Sequence, residues 1–367
     1  ITQVGNLYNI SFKYDPELVD MIKKVPGKSW NPIGKYWTIE KNKLGFFMNQ
    51  IKGTRFESQV NLQSNEDIGK NDTLDKTTHI PDINISGVKF YVKDGAKPYQ
   101  HQIDFMKYAI DRQQRGYRSG FLCADEPGLG KTIESINLAM FNRNYNNFKH
   151  CLIICNINTS KYNWEQEVRE HTNGMMFGYL LGSRMKKKRG TKQKRRVVCG
   201  TKEKYEDLVT MHRYGDENEP ELPYFIIMNV EALRMKEGKR YPITEKLIEM
   251  INSGLLNMIV IDEIHKNMSP TSIQGKQILK VKEKTGSKCI WLPLTGTPIV
   301  NKPTDVFLPM KLVDAHNFSS YYKWCQEFCV YGGYGDVEIV AYKNIPRMKI
   351  MLQQNMIRRL KKDVLDL

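Results

Sequence analysis

The chain has 367 residues, of which 40% are hydrophobic, and a formal net charge of +16. This length allows about two domains, and no apolar run is long enough to span a bilayer, which argues against a membrane protein. The excess of positive charge favours a polyanionic partner, nucleic acid before an acidic membrane surface. A lysine-rich solvated surface is the alternative explanation.

Seven cysteines occur without a CxxC pair and without a histidine set at zinc-site spacing. We therefore expect buried free thiols in a reducing compartment, and hence an intracellular protein, in the cytoplasm or the nucleus. The opening residues carry no secretory signal, and the absence of an initial Met predicts a processed chain or a piece of a longer one.

Residues 1–57 are predicted to form a small α+β domain. The alternation over residues 6–12 predicts a strand, and Asp15 followed by Pro16 predicts the start of a helix that continues to Lys24. Residues 30–39 predict two short strands around a Pro/Gly turn, and residues 44–51 a second helix.

Residues 58–94 are predicted to be a polar linker followed by a short strand at 88–92. From residue 95 to residue 367, apolar strands alternate with helical patterns, which predicts an α/β domain: a parallel sheet with helices on both faces. The strand candidates are residues 119–124, 151–155, 224–228, 257–261 and 289–294.

The run ADEPGLGKT at residues 124–132 predicts a phosphate-binding loop between a strand and a helix. Gly128 and Gly130 let backbone N–H groups surround phosphates, and the helix N-terminus adds its positive end. Lys131 is expected to reach the β- and γ-phosphates, and the Thr132 hydroxyl to hold Mg²⁺. The usual first glycine is replaced by Asp125. The predicted nucleotide contacts in this loop are Pro127, Gly128, Leu129, Gly130, Lys131, Thr132 and Ile133.

A second motif is an apolar strand that ends in Asp262, Glu263 and His265. Asp262 is expected to hold Mg²⁺ together with Thr132, and Glu263 to orient or deprotonate an attacking water. We predict Lys131, Asp262 and Glu263 as catalytic residues, and His265 as a link between the nucleotide site and the rest of the domain. An acidic strand end that caps a helix is the structural alternative.

A third motif is the turn Thr295–Thr297, which follows the last predicted strand and contains a glycine that allows close backbone approach. The three motifs in this order resemble the Swi/Snf-like branch of the superfamily-two helicases, and the resemblance covers about residues 95–367. It implies a RecA-like lobe that uses ATP and Mg²⁺ and acts on duplex or forked DNA. It also implies a second RecA-like lobe that would supply arginines to the γ-phosphate, so the chain alone is expected to hydrolyse ATP poorly.

Further segments resemble motifs of the same branch and imply their roles. Residues 97–102 resemble the adenine-contacting Q motif, with Gln100 as the contact, and residues 356–365 resemble the segment that leaves the first lobe. Residues 152–167 resemble a DNA-backbone motif, although Asn156 or Asn158 stands where a proline is usual. The resulting DNA contacts are Asn158, Lys161, Thr295 and Thr297.

The segment 183–196 carries nine positive charges and no acid, which predicts an exposed loop or hairpin. Contact with the DNA backbone, a nuclear-import signal and a solvated loop are all open interpretations. The residues predicted to contact DNA are Lys186, Lys187, Lys188, Arg189, Arg195 and Arg196.

Residues 25–32 and 35–39 resemble the HARP domain of annealing helicases, which implies binding of forked or single-stranded DNA. The alternative is that Trp30, Tyr36 and Trp37 form the core of a very small domain. We therefore predict a DNA-stimulated ATPase that translocates on, remodels or anneals DNA. A non-enzymatic DNA-binding scaffold and an RNA helicase are the competing hypotheses.

Overall fold

The computed structural model describes residues 2–4, 7–12, 14–31, 36–40, 43–56, 78–117, 119–156, 160–187, 194–216, 222–266, 269–297, 303–332 and 338–364. Two compact units are present: Ile1–Asp75 with Ser320–Ile350, and Lys76–Ser319 with Met351–Leu367. Residues 320–350 thus group with the amino-terminal segment, although the sequence places them in the large domain. Within the described ranges, no helix is both long and apolar enough to cross a membrane.

The first unit begins with a four-stranded antiparallel sheet in the order β1-β2-β4-β3. Its elements are β1 (Thr2–Val4), β2 (Leu7–Ile10), α1 (Pro16–Lys23), β3 (Ser29–Asn31), β4 (Tyr36–Glu40) and α2 (Leu44–Ile51). Helix α1 starts where predicted because the Asp15 carboxylate accepts from the Glu17 N–H at 3.0 Å and Pro16 occupies the first helical position.

The core of the amino-terminal part of this unit is mainly aliphatic. Its buried side chains are Ile10, Ile22, Val25, Ile39, Phe47 and Ile51. Trp37 packs against this core, whereas Trp30 is 46% exposed and lies 5.1 Å from Trp37 between ring centroids. Of the two tryptophans in the amino-terminal segment, Trp37 is half-buried against this core and Trp30 lies at the surface.

The second unit is built on a five-stranded parallel sheet in the order β12-β11-β6-β10-β7. The strands from β5 to β12 are β5 (Leu122–Cys123), β6 (His150–Cys155), β7 (Gly178–Leu180), β8 (Ser183–Lys187), β9 (Lys194–Val198), β10 (Phe225–Asn229), β11 (Leu256–Ile261) and β12 (Ile290–Pro293). Strand β5 lies beside β12 through the bridges Gly120–Trp291 and Cys123–Leu294. Strands β8 and β9 form a separate antiparallel hairpin.

Helices cover both faces of this sheet, as its almost fully buried strands require. They are α3 (Gln100–Gln114), α4 (Lys131–Asn146), α5 (Ser160–His171), α6 (Thr201–Asp216), α7 (Pro242–Asn252), α8 (Ile273–Thr285) and α9 (Phe307–Val313), with 3₁₀ turns at Val230–Arg234 and Pro303–Val306. The predicted class, an α/β domain with a parallel sheet and helices on both faces, is confirmed.

The chain then returns to the first unit. Helix α10 (Tyr321–Phe328) leads into the antiparallel pair β13 (Cys329–Gly332) and β14 (Glu338–Tyr342), and α11 (Ile345–Gln353) follows. The Tyr36 hydroxyl donates to the Tyr331 carbonyl at 3.1 Å, which ties this pair to the amino-terminal sheet. The last elements, β15 (Met356–Ile357) and α12 (Lys361–Val364), belong to the second unit, where β15 pairs in parallel with β5.

The strand predicted at residues 88–92 is wrong, because the backbone there is extended but pairs with a side chain instead of a strand. The Asn137 side-chain amide forms hydrogen bonds with both backbone polar groups of Tyr91. Its oxygen accepts from the Tyr91 N–H at 2.7 Å, and its nitrogen donates to the Tyr91 carbonyl at 2.9 Å. Six of the seven cysteines are buried and all seven are free thiols, as predicted.

Candidate functional site

The three sequence motifs meet at the carboxyl edge of the parallel sheet. Strand β5 runs into the phosphate loop, β11 into Asp262, and β12 into the Thr295–Thr297 turn. Backbone bonds hold the strand ends together: Asp262 N–H to Ile154 O at 2.8 Å, and Thr295 N–H to Cys123 O at 3.0 Å. This edge is where ligands bind in parallel α/β sheets.

The phosphate loop has the backbone that its two glycines permit. Gly128 has φ +90° and Gly130 φ +87°, a region that favours glycine. A Cβ on Gly130 would lie 2.9 Å from both the Gln102 amide nitrogen and Ile133 Cγ2, so only glycine fits there. The buried Lys131 side chain donates to the Asp125 carbonyl at 2.9 Å. The loop is therefore a glycine-dependent cradle at the N-terminus of α4, and its own lysine is bonded back to the Asp125 carbonyl.

The loop packs directly against the Thr295–Thr297 turn. A Cβ on Gly296 would lie 2.6 Å from Pro127 Cγ, so the glycine permits the close approach that the sequence predicted. Leu129 is buried, and its carbonyl lies 2.8 Å from His101 Nε2. Burial lowers the pKa of His101. Thr132 is half-buried at the start of α4, beside this cradle.

Asp262 and Glu263 are held at the tip of β11 by Trp164 of α5 and by Asn156, which follows β6. Burial raises the pKa of Asp262, and a hydrogen bond from Trp164 Nε1 to Oδ2, at 3.0 Å, opposes the rise. Glu263 has φ +46°, a strained conformation for a non-glycine residue. The Asn156 side-chain amide stabilises it by donating to the Asp262 carbonyl at 2.9 Å and to the Glu263 carbonyl.

His265 joins the carboxylates to the turn. Its Nδ1 lies 2.7 Å from Thr295 Oγ1 and 3.4 Å from Glu263 Oε2. The single hydroxyl proton of Thr295 goes to the Thr297 carbonyl at 2.9 Å, so His265 Nδ1 is the donor to Thr295. Burial lowers the pKa of His265, which favours the neutral imidazole.

Beneath the loop lies a buried ion cluster that sequence reasoning missed. Arg359 is 1% exposed on its side chain and pairs with Asp125 and Glu134, whose side chains are fully buried. Its Nε donates to Asp125 Oδ2 at 3.0 Å, its Nη2 donates to Glu134 Oε1 at 2.7 Å, and its Nη1 donates to the His101 carbonyl. Burial raises the pKa of Glu134 well above its usual range, and the two carboxylates raise that of Arg359. Thus Arg359 joins α3, the phosphate loop and α4.

The predicted adenine contact, Gln100, lies at the start of α3, where its amide donates to Asp104 Oδ1 at 2.9 Å in an exposed bond. The nearby Gln102 is buried beside Gly130, and its oxygen accepts from the Tyr99 N–H at 3.0 Å. The role of Gln100 stays a prediction.

The predicted DNA contacts differ in their surroundings. Lys186, Lys187 and Arg195 are exposed on the β8–β9 hairpin, whereas Arg196 makes a two-pronged pair with Glu165 at 2.5 and 2.6 Å. Asn158, Lys188 and Arg189 lie outside the described residues. Lys161 is 6% exposed on α5, and burial lowers its pKa. Thr295 is buried and bonded to His265, so Thr297 is the exposed member of the turn.

The comparisons with known proteins agree on one family. The profile of the SNF2-related domain matches residues 101–367. The DNA annealing helicase and endonuclease ZRANB3 of Mus musculus is 23% identical over 281 residues, which cover 72% of this chain and 21% of that protein. The SWI/SNF-related matrix-associated actin-dependent regulator of chromatin subfamily A-like protein 1 homolog of Caenorhabditis elegans is 21% identical over 370 residues, covering 99% of this chain and 45% of that protein.

A solved structure has the same fold. The Sulfolobus solfataricus SWI2/SNF2 ATPase core domain superposes with a TM-score of 0.52 at 19% identity, covering 79% of this chain and 49% of that one. The chain spans 21% of the length of the first curated relatives that it matches. On the extent of the profile match, which includes the second and third motifs and the phosphate loop, the chain belongs to the SNF2-related family.

Proposed function

We propose that this chain is the first lobe of an ATP-dependent DNA motor that translocates on or remodels duplex or forked DNA. The observation that carries the proposal is the meeting of the glycine cradle, Asp262 and Glu263 at one edge of the sheet. Burial raises the pKa of Asp262, and the charge of Lys131 opposes that rise, so the two side chains interact electrostatically. A phosphate-binding loop that faces a strand-end carboxylate is the arrangement that Mg²⁺-dependent phosphoryl transfer requires.

The residues present fit a magnesium nucleotide. The N–H groups of Gly128, Gly130, Lys131 and Thr132 at the N-terminus of α4 suit an anion, whereas the Leu129 N–H donates to the Glu126 carbonyl. Lys131 needs only to exchange the Asp125 carbonyl for a phosphate oxygen. Thr132 and Asp262 would hold Mg²⁺, whose charge would offset the burial that raises the pKa of Asp262. Bound Mg²⁺ would neutralise charge on the transferred phosphoryl group.

Glu263 is the group that would orient and deprotonate the attacking water. Its strained backbone is held by Asn156, and its carboxylate lies 3.4 Å from His265 Nδ1. Through Thr295, His265 connects this carboxylate to the turn that packs on Pro127. The contacts support His265 as the link between the state of the nucleotide site and the exposed Thr297.

DNA is the polyanion that the charge distribution supports. The β8–β9 hairpin is anchored at its base, where Arg184 pairs with Asp207 at 2.8 Å and Arg196 with Glu165. In the part of the hairpin nearer its turn, positively charged residues face each other across the two strands: Lys186 pairs with Arg195, and Lys187 with Lys194. Like charges directly opposite destabilise a sheet, and phosphates would relieve that repulsion.

The first unit and a second RecA-like lobe would complete such a motor. The resemblance of residues 25–32 and 35–39 to the HARP domain, together with the exposed Trp30, supports fork or single-strand binding by this unit. A second RecA-like lobe would supply the arginine that acts on the γ-phosphate. We expect such a protein to work inside the cell.

The test is phosphate release by the longer protein that contains both lobes, with and without duplex DNA. Lys131→Ala and Glu263→Gln should each lower DNA-stimulated turnover by about 100-fold or more, because one loses the phosphate ligand and the other the general base. Lys284→Ala, an exposed lysine of α8, is the matched control and should turn over like the wild type.

Unchanged turnover in both site variants would refute the assignment. Nucleotide binding without turnover would favour the non-enzymatic scaffold. Stimulation by RNA but not by DNA would favour an RNA helicase.

A further inference from the structure

The last described part of the chain, residues 354–364, lies along the phosphate loop; we call it the exit segment. Backbone bonds join the two: Ala124 N–H to Ile357 O at 2.8 Å and Glu126 N–H to Arg359 O at 3.1 Å. The Arg358 guanidinium adds a bond to the Ala124 carbonyl at 2.8 Å. The exit segment is therefore fixed to the loop by the main chain as well as by side chains.

Helix α12 begins on the loop itself. The Lys361 N–H donates to Glu126 Oε2 at 2.6 Å, which sets where its side chain can reach. That side chain crosses Gly128: a Cβ built on this glycine would lie 3.1 Å from Lys361 Nζ and 3.2 Å from Cε. The Lys361 ammonium is thus in contact with the part of the loop whose backbone would cradle phosphate.

The other cations around the loop have partners, and the Glu126 carboxylate is bonded to the Lys361 backbone N–H rather than to its ammonium. Arg359 is neutralised by Asp125 and Glu134, and the Lys131 ammonium is bonded to the Asp125 carbonyl. Within the described ranges, the Lys361 ammonium has neither a hydrogen bond nor an ion pair. A half-buried cation that lies over a glycine loop without a partner is suited to an anion that arrives from solution.

We propose that Lys361 is a second phosphate-binding cation of the nucleotide site, presented by the exit segment rather than by the loop. This inference rests on the proposed function of the loop. Lys131 and Lys361 would contact the polyphosphate from different segments of the chain. A bound nucleotide would then connect the phosphate loop to the exit segment, in addition to the connection that the Arg359 cluster already makes.

The test is isothermal titration calorimetry of the full 367-residue chain with the magnesium complex of adenosine 5′-(γ-thio)triphosphate, repeated at several salt concentrations. Lys361→Met and Lys361→Gln keep the N–H that binds Glu126 but remove the charge. Each should raise Kd about tenfold, because one charge-assisted bond is lost, and should reduce the salt dependence of Kd. Lys361→Arg should retain most of the affinity.

The matched control is Lys362→Met, since Lys362 is the exposed neighbour in the same helix. It should bind like the wild type, and all variants should keep the melting temperature, because Lys361 has no partner to lose. If both neutral Lys361 variants bind like Lys362→Met while Lys131→Met loses affinity, the inference is overturned and the nucleotide site stands. If the wild type and Lys131→Met bind equally or not at all, the proposed function fails, and the inference with it.

Discussion

The Arg359 cluster allows the sharpest quantitative prediction on stability. Replacing Arg359 by Met keeps a side chain of similar length but leaves the carboxylates of Asp125 and Glu134 buried without their cation. Breaking a buried ion pair by removing one partner costs about 3–5 kcal/mol. In a unit of this size, that corresponds to a fall in melting temperature of about 6–20 °C.

The loss of stability in Arg359→Met should depend on pH, because a protonated Glu134 no longer carries a buried, unpaired charge. Burial already raises the pKa of Glu134 above its unfolded value, and loss of Arg359 would raise that pKa further. A group whose pKa is raised by folding destabilises the fold increasingly as pH rises. The difference between Arg359→Met and the wild type should therefore be largest at neutral and alkaline pH and shrink as pH falls towards about 5.

Thermal unfolding followed by circular dichroism across this pH range measures both effects. Arg115→Met is the matched control, since Arg115 is 65% exposed and pairs with Asp111 on the surface of α3. Such a solvent-screened pair contributes about 0.5 kcal/mol or less. A melting temperature for Arg359→Met equal to that of Arg115→Met at neutral pH would refute the argument that the cluster stabilises this unit.

Two further predictions concern the proposed DNA and metal sites. Changing Lys186, Lys187 and Arg195 together to Ala should reduce the steepness of the plot of log K against log salt for duplex binding by about 2–3, because each lost phosphate contact contributes about 0.9. Changing the same number of exposed α8 lysines to Ala should leave this slope unchanged. Trp164→Phe removes the hydrogen bond that lowers the pKa of Asp262, so the acid limb of the ATPase pH profile of the two-lobed protein should move to higher pH. An acid limb that stays in place would contradict the role of Asp262 as an ionised metal ligand.

The sheet could be predicted because its strands are apolar runs of ordinary length. The prediction at residues 151–155 falls on β6, and that at 257–261 on β11. Strand β7 was not predicted because it is only three residues long, Gly178–Leu180, and shows neither an alternating pattern nor an apolar run of its own. The strand predicted at 88–92 failed for a different reason, since the Asn137 amide satisfies the Tyr91 backbone.

The motifs show which residue types meet but not which side chain faces which. From the sequence, Thr295 and Thr297 are equivalent candidates for DNA contact. The fold buries Thr295 against His265 and exposes Thr297. Asn156 looked like a departure from a motif, yet its amide is what holds the backbone at Asp262 and Glu263.

Asp125 shows most clearly how the fold explains a departure from a motif. It stands where phosphate loops usually begin with glycine, but it is not among the described non-glycine residues with positive φ, so its backbone needs no glycine. A glycine there would leave Arg359 with Glu134 as its only carboxylate partner and would remove the side-chain ion pair between the loop and the exit segment, although the backbone bonds between them would remain. The carboxylate at this position therefore has a structural reason, because it pairs with the Arg359 guanidinium and strengthens the contact between the loop and the exit segment. The Asp125 carboxylate therefore adds a buried ion pair to the backbone bonds between the phosphate loop and the exit segment, and a glycine at position 125 would leave only the other bonds.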